Sequence, residues 1–159
     1  MKLSQRALAA EPFHAMAISQ RASEIAAAGR GPRMINLSLG EPDFDTPDHI
    51  KSAASKAIAD NYSHYTPVAG YLDLREAICT KLKRDNGLDY TPDQVIVSTG
   101  AKQSIFNTVM SIVDAGDEVI IPTPYWVTYS EIVKMAGGVV KFVHTSLENG
   151  YKITPAELE

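Results

Sequence analysis

VIVSTGAKQSIFNTVMSIVDAGDEVIIPTPYWVTYSEIVKMAGGVVKFV, residues 95–143, is the stretch on which the fold turns. Three short runs rich in β-branched residues, 95–98, 118–121 and 139–143, read as strands. Between them, apolar positions recur at helical spacing from about 102 to 114 and from about 125 to 136. Strands that alternate with helices across short loops predict parallel βαβ units in an α/β sheet.

The pattern continues outward from this segment. Leu74, Ile78 and Leu82 lie four apart and predict a helix over 72–86, with Gly87 as its stop. Ile50, Ala54, Ala57 and Ile58 predict another up to about Asn61, with Thr46 as its cap and Pro47 in its first turn. MINLSLG, residues 34–40, alternates as a strand should, and GRGPR (29–33) reads as a turn. The alanine-rich residues 15–28 predict a helix that ends at Gly29. At the other end, Thr154-Pro155-Ala156-Glu157 reads as a capping box that opens a helix. Only two residues follow it, so we expect the N-terminal part of a longer protein rather than a frayed natural end.

Bulk properties exclude several classes. The 159 residues are 45% hydrophobic and 21% charged, an ordinary globular balance, and are long enough to bury a sizeable core if the sheet is complete. A formal charge of -4, with both signs well mixed, argues against nucleic acid as a partner. The start has no signal-peptide core, and no run approaches the ~20 apolar residues of a membrane span. The single cysteine, Cys79, fits a reducing compartment, and the expectation is a cytoplasmic protein.

Motifs narrow the chemistry. Neither a GxxxxGK[ST] phosphate loop nor a GxSxG elbow occurs, and GRGPRM (29–34) holds only half of GxGxxG outside any strand–helix context. His14, His49, His64 and His144 are scattered without HExxH or a cysteine partner, so no metal site is expected. In STGAKQ (98–103), small residues close a strand, and Lys102 opens a helix with Ile105, Val109, Ile112 and Val113 on its apolar side. Such a turn leaves backbone N–H groups at a helix N-terminus, an anion site to which Ser98 and Thr99 could add hydroxyl donors. The same spacing also fits a plain βα turn. A lysine in the first turn opposes the helix dipole unless an anion sits nearby, which favours the anion reading. In PTPYWVTY (122–129), Trp126 lies at the same sheet edge as Gly100 and can stack on a planar ring or pack in a core or interface. The loop 62–71, with Tyr62, Tyr65 and Tyr71 around Pro67 and Gly70, reads alone as a turn with ordinary aromatics.

Taken together and in order, NLSLGEPDFDTPDHI, YTPVAGYLDLREAI, STGAKQSIFN, GDEVIIPTPYWVTY and AGGVVKF resemble the bacterial class I aminotransferases. These are fold type I enzymes that use pyridoxal 5'-phosphate, and the aspartate aminotransferases are the group most similar. The resemblance covers roughly residues 34–155. It implies the N-terminal part of that fold, incomplete at the C-terminus. Residues 1–45 would form an N-terminal arm and small-domain segment, and 46–159 the first portion of an αβα large domain with a mostly parallel sheet.

The resemblance also implies roles. Gly100, Ala101 and Lys102 would hold the cofactor phosphate, Trp126 would stack on its ring, and Tyr65 would reach the other subunit's phosphate across a homodimer. Gly40 would lie by the substrate's α-carboxylate, with Lys102 and Trp126 also on the substrate side. The implied activity is amino transfer in amino acid metabolism and biosynthesis, between an amino acid, aspartate first, and a 2-oxo acid such as 2-oxoglutarate. The segment Pro12-Phe13-His14-Ala15-Met16 departs from the Ser and Thr usual in the aspartate group, which points towards neighbouring preferences. The family's catalytic lysine would lie beyond residue 159, so no catalytic residue is assigned here, and the chain alone is expected to be inactive. Rival expectations are a non-catalytic cofactor-sensing domain, a gene remnant, or a lyase of the same fold.

Overall fold

The computed structural model describes residues 2–9, 14–29, 35–38 and 40–158. Two compact units emerge, Pro12–Thr66 and a second made of Met1–Glu11 with Pro67–Glu159.

In the larger unit, β1 (Glu118–Thr123), a helix over Thr128–Ala136 and β2 (Val139–His144) form the expected parallel βαβ unit. The register places Ile121 beside Phe142 and Thr123 beside His144. Ile121 is buried on β1, and Ile132 and Val133 are buried on the intervening helix. That helix starts three residues later than its apolar spacing suggests. Pro122 and Pro124 keep the chain out of the helical ladder, and Tyr129 N–H is the amide that reaches back to Trp126 O, at 3.0 Å. Before β1 runs the helix Ala101–Ile112, and before that the helix Leu72–Asn86, closed by Gly87 in the left-handed region as its sequence predicts. In chain order the helices are α1 (Gln5–Ala9), α2 (His14–Ala27), α3 (Asp48–Ala59), α4 (Leu72–Asn86), α5 (Ala101–Ile112), α6 (Thr128–Ala136) and α7 (Pro155–Leu158).

The predicted strand at 95–98 starts extended at Val95 but pairs with no strand among the described residues. A backbone bond from Val97 N–H to Ala69 O, at 3.0 Å, ties it to the loop before α4. The described sheet therefore has two strands, and few apolar side chains are buried among the described residues: Val95, Ile121, Ile132 and Val133. The sizeable core that a complete sheet would give is not built from these residues.

The capping box at 154–157 forms as expected. Thr154 N–H and its hydroxyl donate to the Glu157 carboxylate at 2.7 and 2.8 Å. Those two bonds hold the Glu157 carboxyl below the usual glutamate range.

In the smaller unit, α2 follows the alanine-rich pattern and ends before Gly29. α3 begins after Pro47, which is itself the cap, so Thr46 stands one residue outside the position expected of it. Pro47 has φ -54 but ψ 142, so helical geometry starts only at Asp48. The expected strand 34–40 does not form among its described residues, 35–38 and 40. Asn36 explains this: its side-chain oxygen accepts from Ser38 N–H at 3.0 Å and from the Ser38 hydroxyl at 2.5 Å. Its amide nitrogen donates to Ser19 Oγ at 3.0 Å. Such a side-chain turn diverts the backbone from a ladder. The turn at 30–33 and the Pro12-Phe13 part of the N-terminal departure lie outside the described residues.

Candidate functional site

The C-terminal edge of the larger unit gathers the chemistry. Gly100 caps α5 at φ 90 and ψ 165, a conformation that residues with a Cβ rarely adopt. A Cβ added there meets no atom within 4 Å, so what selects glycine is the backbone angle and not crowding. Gln103 and Ser104 N–H groups reach back to Gly100 O at 3.2 and 3.3 Å. The amides of Ala101 and Lys102 thus lie ahead of the helical ladder, at the positive end of the dipole.

No side chain caps α5 from its cap position. In this α5 resembles α3, α4 and α6, whose caps Pro47, Tyr71 and Val127 make no side-chain bond either, and differs from α7, where the Thr154 hydroxyl accepts from Glu157 N–H at 3.4 Å. At α5 the cap is glycine, which has no side chain to place on the first-turn amides.

Trp126 follows β1 in the loop before α6, after a cis Thr123–Pro124 bond, and is 43% exposed. The Lys102 ammonium lies over its indole, 5.5 Å from the ring centroid, within cation–π reach. Two residues expected at one sheet edge are thus brought within contact. Beside them, Tyr125 meets Phe142 of β2 with ring centroids 5.0 Å apart. Below, Thr123 Oγ1 and His144 Nδ1 are 3.2 Å apart, and the Thr145 hydroxyl donates to Thr123 O, which ties the ends of β1 and β2 together.

Gly40 and Tyr65 belong to the smaller unit. Gly40 is exposed, and Tyr65 at 105% projects wholly into solvent. Among the described residues no cluster of three or more histidine, cysteine or carboxylate side chains could hold a metal, and no helix is long and apolar enough to cross a membrane.

Sequence reasoning passed over Gln103. Its carboxamide oxygen accepts from both Thr99 N–H and Thr99 Oγ1, at 2.5 and 2.6 Å. The Thr99 O–H is therefore engaged within the chain and is not an outward donor. The signal was present as a threonine four residues before a glutamine, a capping-box spacing displaced by one because the cap is glycine.

The arrangement offers helix amides, an ammonium and an exposed indole on one edge, which suits a planar ring carrying an anion. The sequence profile described as "Aminotransferase class I and II" matches residues 32–159. The chain belongs to this family. The aspartate/prephenate aminotransferase of Nitrosomonas europaea is 48% identical over 159 residues, which are 100% of this chain and 40% of that protein. The aspartate aminotransferase of Geobacillus stearothermophilus shows the same identity and coverage. Among solved structures, the aspartate aminotransferase of Thermus thermophilus with maleate covers 99% of this chain and 41% of its own, at TM-score 0.92 and 44% identity. The Rhizobium meliloti enzyme covers 99% and 39%, at TM-score 0.91 and 41% identity. The α/β expectation holds: over the matched span the fold is the one these aminotransferases use. This aminotransferase-family chain spans about two fifths of the length of the relatives it matches.

Proposed function

We propose that these residues form one wall of a pyridoxal 5'-phosphate-dependent aminotransferase active site. In this reading the whole enzyme moves an amino group between an amino acid, aspartate first, and a 2-oxo acid such as 2-oxoglutarate. The observation that carries it is the glycine-capped N-terminus of α5 with the Lys102 ammonium above the Trp126 indole. Residues 1–45 serve as arm and small-domain segment, and 46–159 as the start of the cofactor domain.

The residues fit the cofactor. Gly100, Ala101 and Lys102 hold its phosphate through first-turn amides and the helix dipole, as helix N-termini hold phosphates generally. Trp126 supplies a flat apolar face for the ring. The fully exposed Tyr65 is assigned to the phosphate of the other subunit in a homodimer. When bound, the cofactor supplies the electron sink for bond breaking at the substrate's Cα. This chain's residues anchor and orient it: the turn fixes one end, and the indole fixes the ring plane. Lys102 also offers its charge to the distal carboxylate of a dicarboxylic substrate, and Gly40 lies by the α-carboxylate. The Thermus relative solved with maleate, a dicarboxylate, supports a dicarboxylic substrate.

A second reading of the acceptor is prephenate, because the Nitrosomonas relative carries both substrates in its name. The departures at Pro12-Phe13-His14 favour a preference broader than aspartate alone. The Schiff-base lysine is assigned to no residue of this chain, and the isolated 159 residues are expected not to transaminate.

The test is an assay of the full-length enzyme with aspartate, pyridoxal 5'-phosphate and either 2-oxoglutarate or prephenate. Formation of oxaloacetate that requires both cofactor and oxo acid is the expected result. Loss of aspartate without any oxo acid present would instead mark a lyase, and cofactor binding without turnover would mark a sensing domain.

A further inference from the structure

The Gln103 side chain has a second consequence, which rests on the cofactor reading above. Gly100 lacks a side chain, so nothing on it restrains its backbone to φ 90 and ψ 165. Glycine visits many other conformations, and a turn that must present two amides to an anion needs its neighbours fixed on both sides. On the helix side, Ser104 N–H bonds Gly100 O. On the strand side, the Gly100 N–H donates to Ser98 O at 2.8 Å, and Thr99 is held twice by the Gln103 carboxamide oxygen. Gln103 thus spans the glycine from the third helical residue to the residue before the cap.

The choice of acceptor matters. A threonine or aspartate cap at position 100 would place its own oxygen on the first-turn amides and compete with a bound anion. Gln103 stabilises the turn from one residue further back and leaves Ala101 and Lys102 N–H outside its reach. It also consumes the Thr99 hydroxyl proton, so the phosphate is met by amides and an ammonium rather than by that hydroxyl.

We infer that Gln103 is a positioning residue for the cofactor-phosphate turn, acting through Thr99 and never touching the cofactor itself. Both side chains are exposed, so the effect on folding is small and the effect on phosphate affinity is selective.

The experiment uses full-length enzyme stripped of cofactor and titrated with pyridoxal 5'-phosphate and, separately, with phosphate-free pyridoxal, followed by absorbance. Gln103→Met keeps the side-chain volume and removes the acceptor. It is expected to weaken pyridoxal 5'-phosphate roughly three- to tenfold, the scale of one or two hydrogen bonds, and to leave pyridoxal and the melting temperature unchanged. Thr99→Val removes the hydroxyl partner while keeping the amide, and its own loss should shrink in the Gln103→Met background, because the two act as a pair. Unchanged pyridoxal 5'-phosphate affinity in Gln103→Met, equal losses for both ligands, or additive effects in the double variant would each overturn the inference. Failure of the unsubstituted enzyme to bind pyridoxal 5'-phosphate would instead overturn the cofactor reading beneath it.

Discussion

Lys102 carries more than one contact, and its neighbours decide which of them matters. Its position in the first turn of α5 is unfavourable for a cation unless negative charge is close, while its ammonium rests 5.5 Å from the Trp126 centroid. On the proposed reading that negative charge comes from the cofactor phosphate and the far carboxylate of the substrate. Lys102→Ala in the full-length enzyme should therefore lower kcat/KM for aspartate about tenfold or more, the scale of a hydrogen bond to a charged group. Kinetics with a neutral amino acid should change far less. Equal losses for acidic and neutral substrates would remove the substrate role and leave only a part in holding the cofactor.

At the scale of elements, the parts readable in the sequence were those fixed by local chemistry. α4 ends at Gly87, and the box at Thr154 and Glu157 closes, because caps and left-handed glycines act within a few residues. The runs at 34–40 and 95–98 misled because a strand is defined by its partner, and the sequence of one strand does not contain the other. At 35–38 the Asn36 side chain captured the backbone, and at 95–98 the bond to Ala69 joins a loop. Lys102 and Trp126 could be placed at one sheet edge, but the 5.5 Å approach of ammonium to indole could not be read, since it depends on how the α5 and β1 ends converge. Gln103 was hidden by an offset of one residue in a familiar spacing.

The loop that carries Ala69 is nonetheless held tightly at Gly70. That residue is buried at φ 94, and an added Cβ would lie 2.8 Å from Val97 Cγ2 and 2.9 Å from Val97 Cβ. Gly70→Ala combines a left-handed backbone with a clash and should cost about 2–4 kcal/mol in chemical denaturation of the full-length protein. A change below ~0.5 kcal/mol would mean that this approach is not rigid.

At the scale of the whole molecule, large apolar side chains stay exposed in both units, Leu37 at 89% and Val68 at 102%. That pattern fits a span that works as part of a larger body, as do relatives of which this chain covers 40%. On the proposed function, the glycine-capped start of α5 and the Trp126 indole together hold pyridoxal 5'-phosphate. The most direct test is a crystal structure of the full-length protein grown with that cofactor. Phosphate oxygens are expected about 3 Å from the Ala101 and Lys102 amide nitrogens, with the pyridine ring stacked on Trp126. A cofactor bound with its phosphate away from residues 100–102, or with its ring away from Trp126, would contradict it.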